Sequence, residues 1–372
     1  MTQKLTLQIL VIVLVVGAIA YFEAHRPKLP KISIEQSEIN LPNRENSEKE
    51  SKYPHAVEIV NPSGFINTDP LKVKDLIGKK VILVDFWTYS CINCQRTTPY
   101  LNAWYSKYKD QGLEILGIHT PEFEFEHKPE NVAAAVKKFG VQYPVVMDND
   151  YGTWSAYGNR YWPRKYLIDI DGYIVYDHIG EGAYDETEKV IQNLLKERAV
   201  RLGLKDTVTD GIVSPSAPTG SGAVGSPEVY FGFSRNEFLG NGVADQLGIK
   251  TFTISSTFQL NKLYLGGDWK FDQEFAENKT ASAKIIFRYK AQDVYFVASS
   301  KIGSQIQVLK DGKPLTAKEA GEDITVSNGS STGIIKEERL YKLIHDQAGS
   351  GEHVIEIIIK DPGLNAFTFT FG

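Results

Sequence analysis

Lys80-Val81-Ile82-Leu83-Val84-Asp85-Phe86-Trp87-Thr88-Tyr89-Ser90-Cys91-Ile92-Asn93-Cys94 decides how this chain is read. Lys80 to Phe86 is a short apolar run rich in β-branched residues, as a buried strand requires. The chain's two cysteines, Cys91 and Cys94, follow where a helix is expected to begin. At a helix start the unsatisfied backbone N–H groups and the positive end of the dipole favour a thiolate, and a sulfur one turn further on is placed to close a disulfide. Structural zinc normally takes four N or S ligands, and no second cysteine pair exists here. His119 and His127 do not have the spacing of a ligand pair, so no metal site is expected. A bridge closing so short a loop removes little chain entropy, which favours exchange chemistry over a purely structural disulfide.

Outward from that stretch, strand and helix signals alternate. Leu101, Trp104 and Tyr108 form one face of a helix over 98–108. Leu113 to His119 reads as a strand, and Val132, Ala135, Val136 and Phe139 mark a second helix. Tyr143 to Met147, Lys165 to Ile170 and Tyr173 to Tyr176 are further strands, the last two joined by Asp171-Gly172, a hairpin signal. A helix returns over 186–198. This order predicts an α/β sheet with helices on both faces, over residues 56–200.

The flanks differ in character. Leu5 to Phe22 is apolar apart from Thr6 and Gln8, so residues 1–26 are expected to be a membrane anchor or signal segment. Ala18-Ile19-Ala20 resembles a cleavage site, and about 18 residues is the lower limit for crossing a bilayer. Residues 27–55 carry Pro27, Pro30 and Pro42 and a run of Glu, Lys, Asn and Ser, the composition of a flexible tether. Ser214-Pro215-Ser216-Ala217-Pro218-Thr219-Gly220-Ser221-Gly222 marks a second linker within 201–226. From 227 to 372 short runs rich in Tyr, Phe, Val, Ile and Thr recur between Gly-rich turns, which predicts an all-β sandwich. A net charge of −5 with no basic, aromatic-studded cluster excludes a nucleic-acid binder. A dithiol with no other thiols suits an oxidising compartment, so the chain is expected outside the cytoplasm, on the outer face of the membrane or in a periplasm.

Three motifs carry a family resemblance: Phe86-Trp87-Thr88-Tyr89-Ser90-Cys91-Ile92-Asn93-Cys94, His119-Thr120-Pro121-Glu122-Phe123-Glu124-Phe125-Glu126, and Tyr161-Trp162-Pro163 ahead of Tyr166-Leu167-Ile168-Asp169. Together they resemble the thioredoxin-like domain of the TlpA type, and more closely that of DipZ-type proteins. The resemblance implies that Cys91 attacks, that Cys94 resolves, that Asp85 is a buried carboxylate behind the dithiol, and that Pro163 is a cis proline. An Asp85 that merely pairs locally is the alternative. Trp87, Tyr89 and Trp162 are expected as an apolar, substrate-binding rim around the sulfurs. Burial would raise the Asp85 pKa and fit it to accept the Cys94 proton. Ile92 and Asn93 add no positive charge between the cysteines, which favours a reductant or exchanger over a strong oxidant.

The last part of the chain also resembles DipZ-type proteins, through Ser226-Pro227-Glu228, Leu265-x-Gly267-x-Trp269 and Ala366-Phe367-Thr368-Phe369-Thr370-Phe371-Gly372. That module is similar to carbohydrate-binding jelly rolls; Tyr264 and Trp269 are candidate stacking rings for a carbohydrate or cell-wall ligand, although a Trp in a sandwich is more often core, and likeness of fold does not transfer a ligand. The resulting reading is a membrane-anchored thiol-disulfide oxidoreductase with no cofactor beyond the Cys91–Cys94 disulfide. Its expected partners are disulfide-bearing or dithiol exported proteins and a donor of the membrane thiol-transfer type. The alternatives are a sugar- or surface-binding protein with the thioredoxin domain as scaffold and, as a minor one, a thiol peroxidase.

Overall fold

The computed structural model describes residues 46–205, 208–216 and 224–372. The expected anchor over 5–22 and the centre of the second linker lie outside these residues. Among the described residues no helix is long and apolar enough to cross a membrane.

The first domain is built on a six-stranded sheet: β1 (Gly64–Ile66), β2 (Val81–Trp87), β3 (Leu113–His119), β4 (Val145–Met147), β5 (Arg164–Ile168) and β6 (Ile174–Ile179). The spatial order is β1-β4-β3-β2-β5-β6. β2 runs parallel to β3 and antiparallel to β5. Every residue of β2 is buried, as its apolar run, interrupted only by Asp85, demands. Strand alternation divides it: Val81, Leu83 and Trp87 join the core under the helices Ile92–Tyr108, Pro129–Lys138 and Tyr184–Arg201, whereas Ile82, Val84 and Phe86 join the core on the opposite face. Helices cover both faces unequally, for the second face carries only the short helices Val73–Leu76 and Gly152–Ala156 and the segment leading into β2.

The end of the expected tether is ordered differently from its composition. Asn46–Lys52 is a helix, and the Lys49 ammonium lies 2.7 Å from Asp169, 3.1 Å from Asp171 and 2.5 Å from Glu197. A polar segment reads as solvated because no local pattern reveals that three carboxylates wait for one lysine.

The second domain is all β. Thirteen antiparallel strands form one continuous curled sheet, β7 (Val229–Tyr230) to β19 (Leu364–Phe371). The expected two sheets are joined through β9 (Leu263–Phe271), which pairs through Leu263 to Gly266 with β11 (Ala283–Ala291) and through Trp269 to Phe271 with β10 (Ala276–Asn278). The change of partner falls at Gly267, whose φ is +89°, and where a Cβ would lie 2.5 Å from Thr280 Oγ1. The halves of the sheet face one another across Phe231, Phe287, Phe296 and Phe369. Trp269 is fully buried in this core and donates its ring N–H to the Gly266 carbonyl at 3.0 Å. Tyr264 is also buried, against Phe258. Neither ring is offered to a sugar: Trp269 is part of the core, and Tyr264, on the opposite face of β9, is covered by Phe258 and accepts the Gln259 N–H at 3.1 Å.

The outer face of β12 (Asp293–Ser300) and β19 rests on the first domain. In β19 the pairing with β12 skips Phe367: Val297 faces Thr368 and Ala298 faces Ala366. This β-bulge leaves Ala366 and Phe369 in the β core and turns Phe367 onto the first domain, where it meets Phe123 at 5.3 Å and Phe125 at 4.9 Å.

Candidate active site

Cys91 is the N-cap of the helix Ile92–Tyr108. It is half-buried, and its Sγ accepts the backbone N–H of Cys94 at 3.3 Å. Cys94 is buried beneath it, and both are thiols. Burial, and then the neighbouring Cys91, push the Cys94 thiol well above its usual pKa. The arrangement is asymmetric, with one accessible sulfur at a helix N-terminus and one inner sulfur that holds its proton.

Asp85 lies on the same face of β2 as Val81, Leu83 and Trp87, so alternation aims it under the helix that carries the cysteines. It is 1 % exposed, and Oδ1 has no hydrogen-bond partner. Burial raises its pKa from 3.8 to about 7, against the opposing charge of Lys165. Lys165 is the register partner of Asp85 across β2 and β5 and is itself buried. Its Nζ donates to the Gly180 carbonyl at 3.2 Å, and burial lowers its pKa while Asp85 and Cys94 hold it up. Sequence reading missed Lys165; the one signal for it is the alternation of β5, which places it inward two residues after Pro163.

The Trp162–Pro163 peptide is cis. Trp162 donates its ring N–H to the Thr120 carbonyl at 3.0 Å and packs on Trp154, with centroids 4.3 Å apart. It borders the cleft at Cys91, as a rim residue should. Trp87 and Tyr89 do not: they are 2 % and 4 % exposed. Trp87 meets His119 edge-on at 5.1 Å, and Tyr89 stacks on the same ring at 5.7 Å. The Tyr89 hydroxyl donates to the Glu338 carbonyl of the second domain at 3.2 Å. The second domain therefore reaches the Tyr89 that the motif alone would leave as rim, while Trp87 is buried against His119 of the first domain. His119, with both ring nitrogens unpartnered, is held neutral by burial, its pKa lowered from 6.5 to about 3.

Glu126, also unforeseen as a site residue, ties the loop before Cys91 to the loop after β3. Its Oε1 accepts the Ser90 N–H at 3.2 Å and the Ser90 hydroxyl at 2.7 Å, and its Oε2 accepts the N–H groups of Glu122 at 2.6 Å and Phe123 at 3.1 Å. Burial raises its pKa, opposed by the Thr88 and Ser90 hydroxyls. Its position at the end of the His119 to Glu126 motif was the available signal.

Above Cys91 opens a cleft of about 260 Å³ bordered by both domains. The first domain contributes Cys91, Trp162 and Glu122, and the second contributes Tyr230, Val297 and Thr368. Glu122 accepts hydrogen bonds from the Tyr230 hydroxyl at 2.8 Å and from Arg235 Nη1 at 2.9 Å, which closes one end of the cleft. Among the described residues one carboxylate cluster, Asp169, Asp171 and Glu197, has the spacing to hold a cation. The Lys49 ammonium already sits among its oxygens.

A dithiol at a helix start, set after the first core strand of a mixed sheet, with a cis proline just ahead of the adjacent strand β5, defines a thioredoxin-like redox protein. Residues 66–195 match the Redoxin family, and residues 226–372 match the family described as a thioredoxin-like C-terminal domain. The chain is 35 % identical over 322 residues to protein DipZ of Mycobacterium tuberculosis, an alignment covering 85 % of this chain and 43 % of the relative. It is 33 % identical over 134 residues to the thiol-disulfide oxidoreductase ResA of Bacillus anthracis, covering 35 % of this chain and 74 % of that protein. A solved thioredoxin-like protein in its oxidised form aligns over 39 % of this chain and 97 % of its own, at 26 % identity and a TM-score of 0.37. The chain belongs to the thioredoxin-like thiol-disulfide oxidoreductases, and it spans less than half the length of its DipZ relatives.

Proposed function

We propose that this protein is a membrane-anchored, extracytoplasmic oxidoreductase that reduces or exchanges disulfides in exported proteins. The observation that carries the reading is the stacking of three groups along one line of burial: Cys91 at the cleft, Cys94 beneath it, and Asp85 on the strand face below the same helix.

In the reducing direction the Cys91 thiolate attacks one sulfur of a substrate disulfide. The substrate S–S bond breaks, a Cys91–substrate disulfide forms, and the other substrate sulfur leaves as a thiolate that takes a proton from water. Cys94 then gives its proton to the Asp85 carboxylate and attacks Cys91 Sγ. The Cys91–Cys94 disulfide forms and the second substrate thiolate departs. Two electrons have passed to the substrate, and an external dithiol must return them. Lys165 stabilises the Asp85 carboxylate when it is ionised. The apolar Leu5–Phe22 segment and the absence of any third cysteine support placement outside the cytoplasm.

Trapping tests this. A Cys94→Ser variant should accumulate a mixed disulfide on Cys91, released by a dithiol reductant, while Cys91→Ser should accumulate none. Equal loading of both variants, or of neither, would reject the assigned nucleophile. Thiol labelling of the wild-type chain before and after reduction should show one pair cycling between states.

A further inference from the structure

We propose that the C-terminal domain is a working wall of the site, and that the cleft accepts a disulfide carried on an extended, unfolded stretch of polypeptide and excludes one lying on the surface of a folded protein. This deepens the reading of Cys91 as the nucleophile and rests on it.

The first argument is size. The cleft holds about 260 Å³, below the roughly 300–1,000 Å³ of sites that enclose a whole drug-sized ligand. A cysteine and its chain neighbours fit such a space, whereas a convex protein surface would meet Tyr230, Thr368 and Val297 before reaching the sulfur. The second argument is that this wall is fixed. Phe367 is seated between Phe123 and Phe125 of the first domain. Arg96, on the cysteine-bearing helix, donates to the Tyr295 hydroxyl at 3.3 Å. Lys128 pairs with Glu338 at 2.7 Å, and Glu122 with Arg235 at 2.9 Å. With these contacts made, the domain cannot swing aside to admit a folded substrate without losing buried apolar area and charge pairs together. The third argument is chemistry. The wall lines a partly dehydrated slot with the oxygens of Tyr230, Thr368, Thr370 and Glu228; their donors are engaged, Tyr230 with Glu122 and Glu228, Thr368 with the Val229 carbonyl and Thr370 with Glu228, so what they offer is acceptor capacity. An extended main chain has N–H groups that need such acceptors, and a flat apolar ligand has none.

The test uses the full chain with Cys94→Ser. Rates of mixed-disulfide formation are measured with a short unstructured peptide bearing one cysteine as its nitrothiobenzoate disulfide, and with the same group on a surface cysteine of a folded protein. Each rate is divided by the same variant's rate with a small symmetric aromatic disulfide, which reports the nucleophile alone. The peptide should be preferred by about tenfold or more, the scale at which a shaped pocket discriminates. Tyr230→Ala and Thr368→Ala, which open the wall, should each lower that preference, and Thr370→Trp should slow the peptide. Equal normalised rates for peptide and folded substrate in the parent would overturn the proposal, and no variant is needed for that comparison. A preference that survives both opening substitutions would also overturn the wall. Failure of the small disulfide to react would remove the nucleophile itself, and this proposal with it.

Discussion

At the scale of single residues, Asp85 is the group whose environment has the most consequence. Its carboxyl titrates near pH 7 because burial penalises the charged form more than Lys165 favours it. Resolution of the mixed disulfide should therefore quicken as pH rises through about 7, when the carboxylate able to accept the Cys94 proton appears. Asp85→Asn should remove that inflection and slow resolution by about a hundredfold, read by stopped-flow release of a chromophoric thiol. Stability should move oppositely. The folded protein keeps a proton that the unfolded chain releases near 3.8, so stability present below that value is lost as pH rises through about 7. Asp85→Asn should then be more stable than the parent at pH 8, by up to about 4 kcal/mol, and the gap should close below pH 4 in urea titrations. The position of Asp85 was legible from the resemblance. Lys165 was signalled only by the alternation of β5, which does not say which face meets Asp85 until the cross-strand partner is known.

At the scale of elements, the loop before the cysteines is set by Glu126, which lies within the 3-10 turn Glu124–His127, three residues after its N-cap Phe123. Each of its oxygens serves a different loop, so the two substitutions that remove its charge differ. Glu126→Gln retains one acceptor oxygen and should lose one of the two sets of bonds. Glu126→Ala loses both and should cost about 3 kcal/mol or more in urea unfolding, with the Gln variant between it and the parent. Equal loss in both variants would mean that a single set matters. β19 shows the same dependence on context. Its sequence alternates Phe and Thr from Phe367 to Phe371 and predicts three phenylalanines on one face, yet the bulge sends Phe367 to the other domain. Bulges follow from how two strands are matched, and one strand's pattern does not contain that information.

At the scale of the whole molecule, the two domains share a core. Tyr295, Val297, Leu340 and Phe367 of the second pack with the buried residues of the first, and polar contacts through Arg96, Tyr89 and Glu122 surround that patch. Heating should give one calorimetric transition. Phe367→Ala should lower stability by about 3–5 kcal/mol and split that transition into two, because the element that couples the domains is removed while each keeps its own core. A single undivided transition in the variant would show that the polar contacts suffice for coupling. The dithiol at a helix start, the apolar strand before it, and the change from α/β to all-β grammar were present in the sequence as local patterns of spacing and alternation, and the resemblance added Asp85 behind the dithiol and the cis Pro163. Only the tertiary structure decided that Trp87 and Tyr89 are covered, that Lys49 docks the tether's end, that Lys165 faces Asp85, and that the second domain walls the cleft above Cys91. Those depend on pairs of residues far apart in the chain, brought together by the shared burial of apolar surface, and no window along the sequence contains both partners.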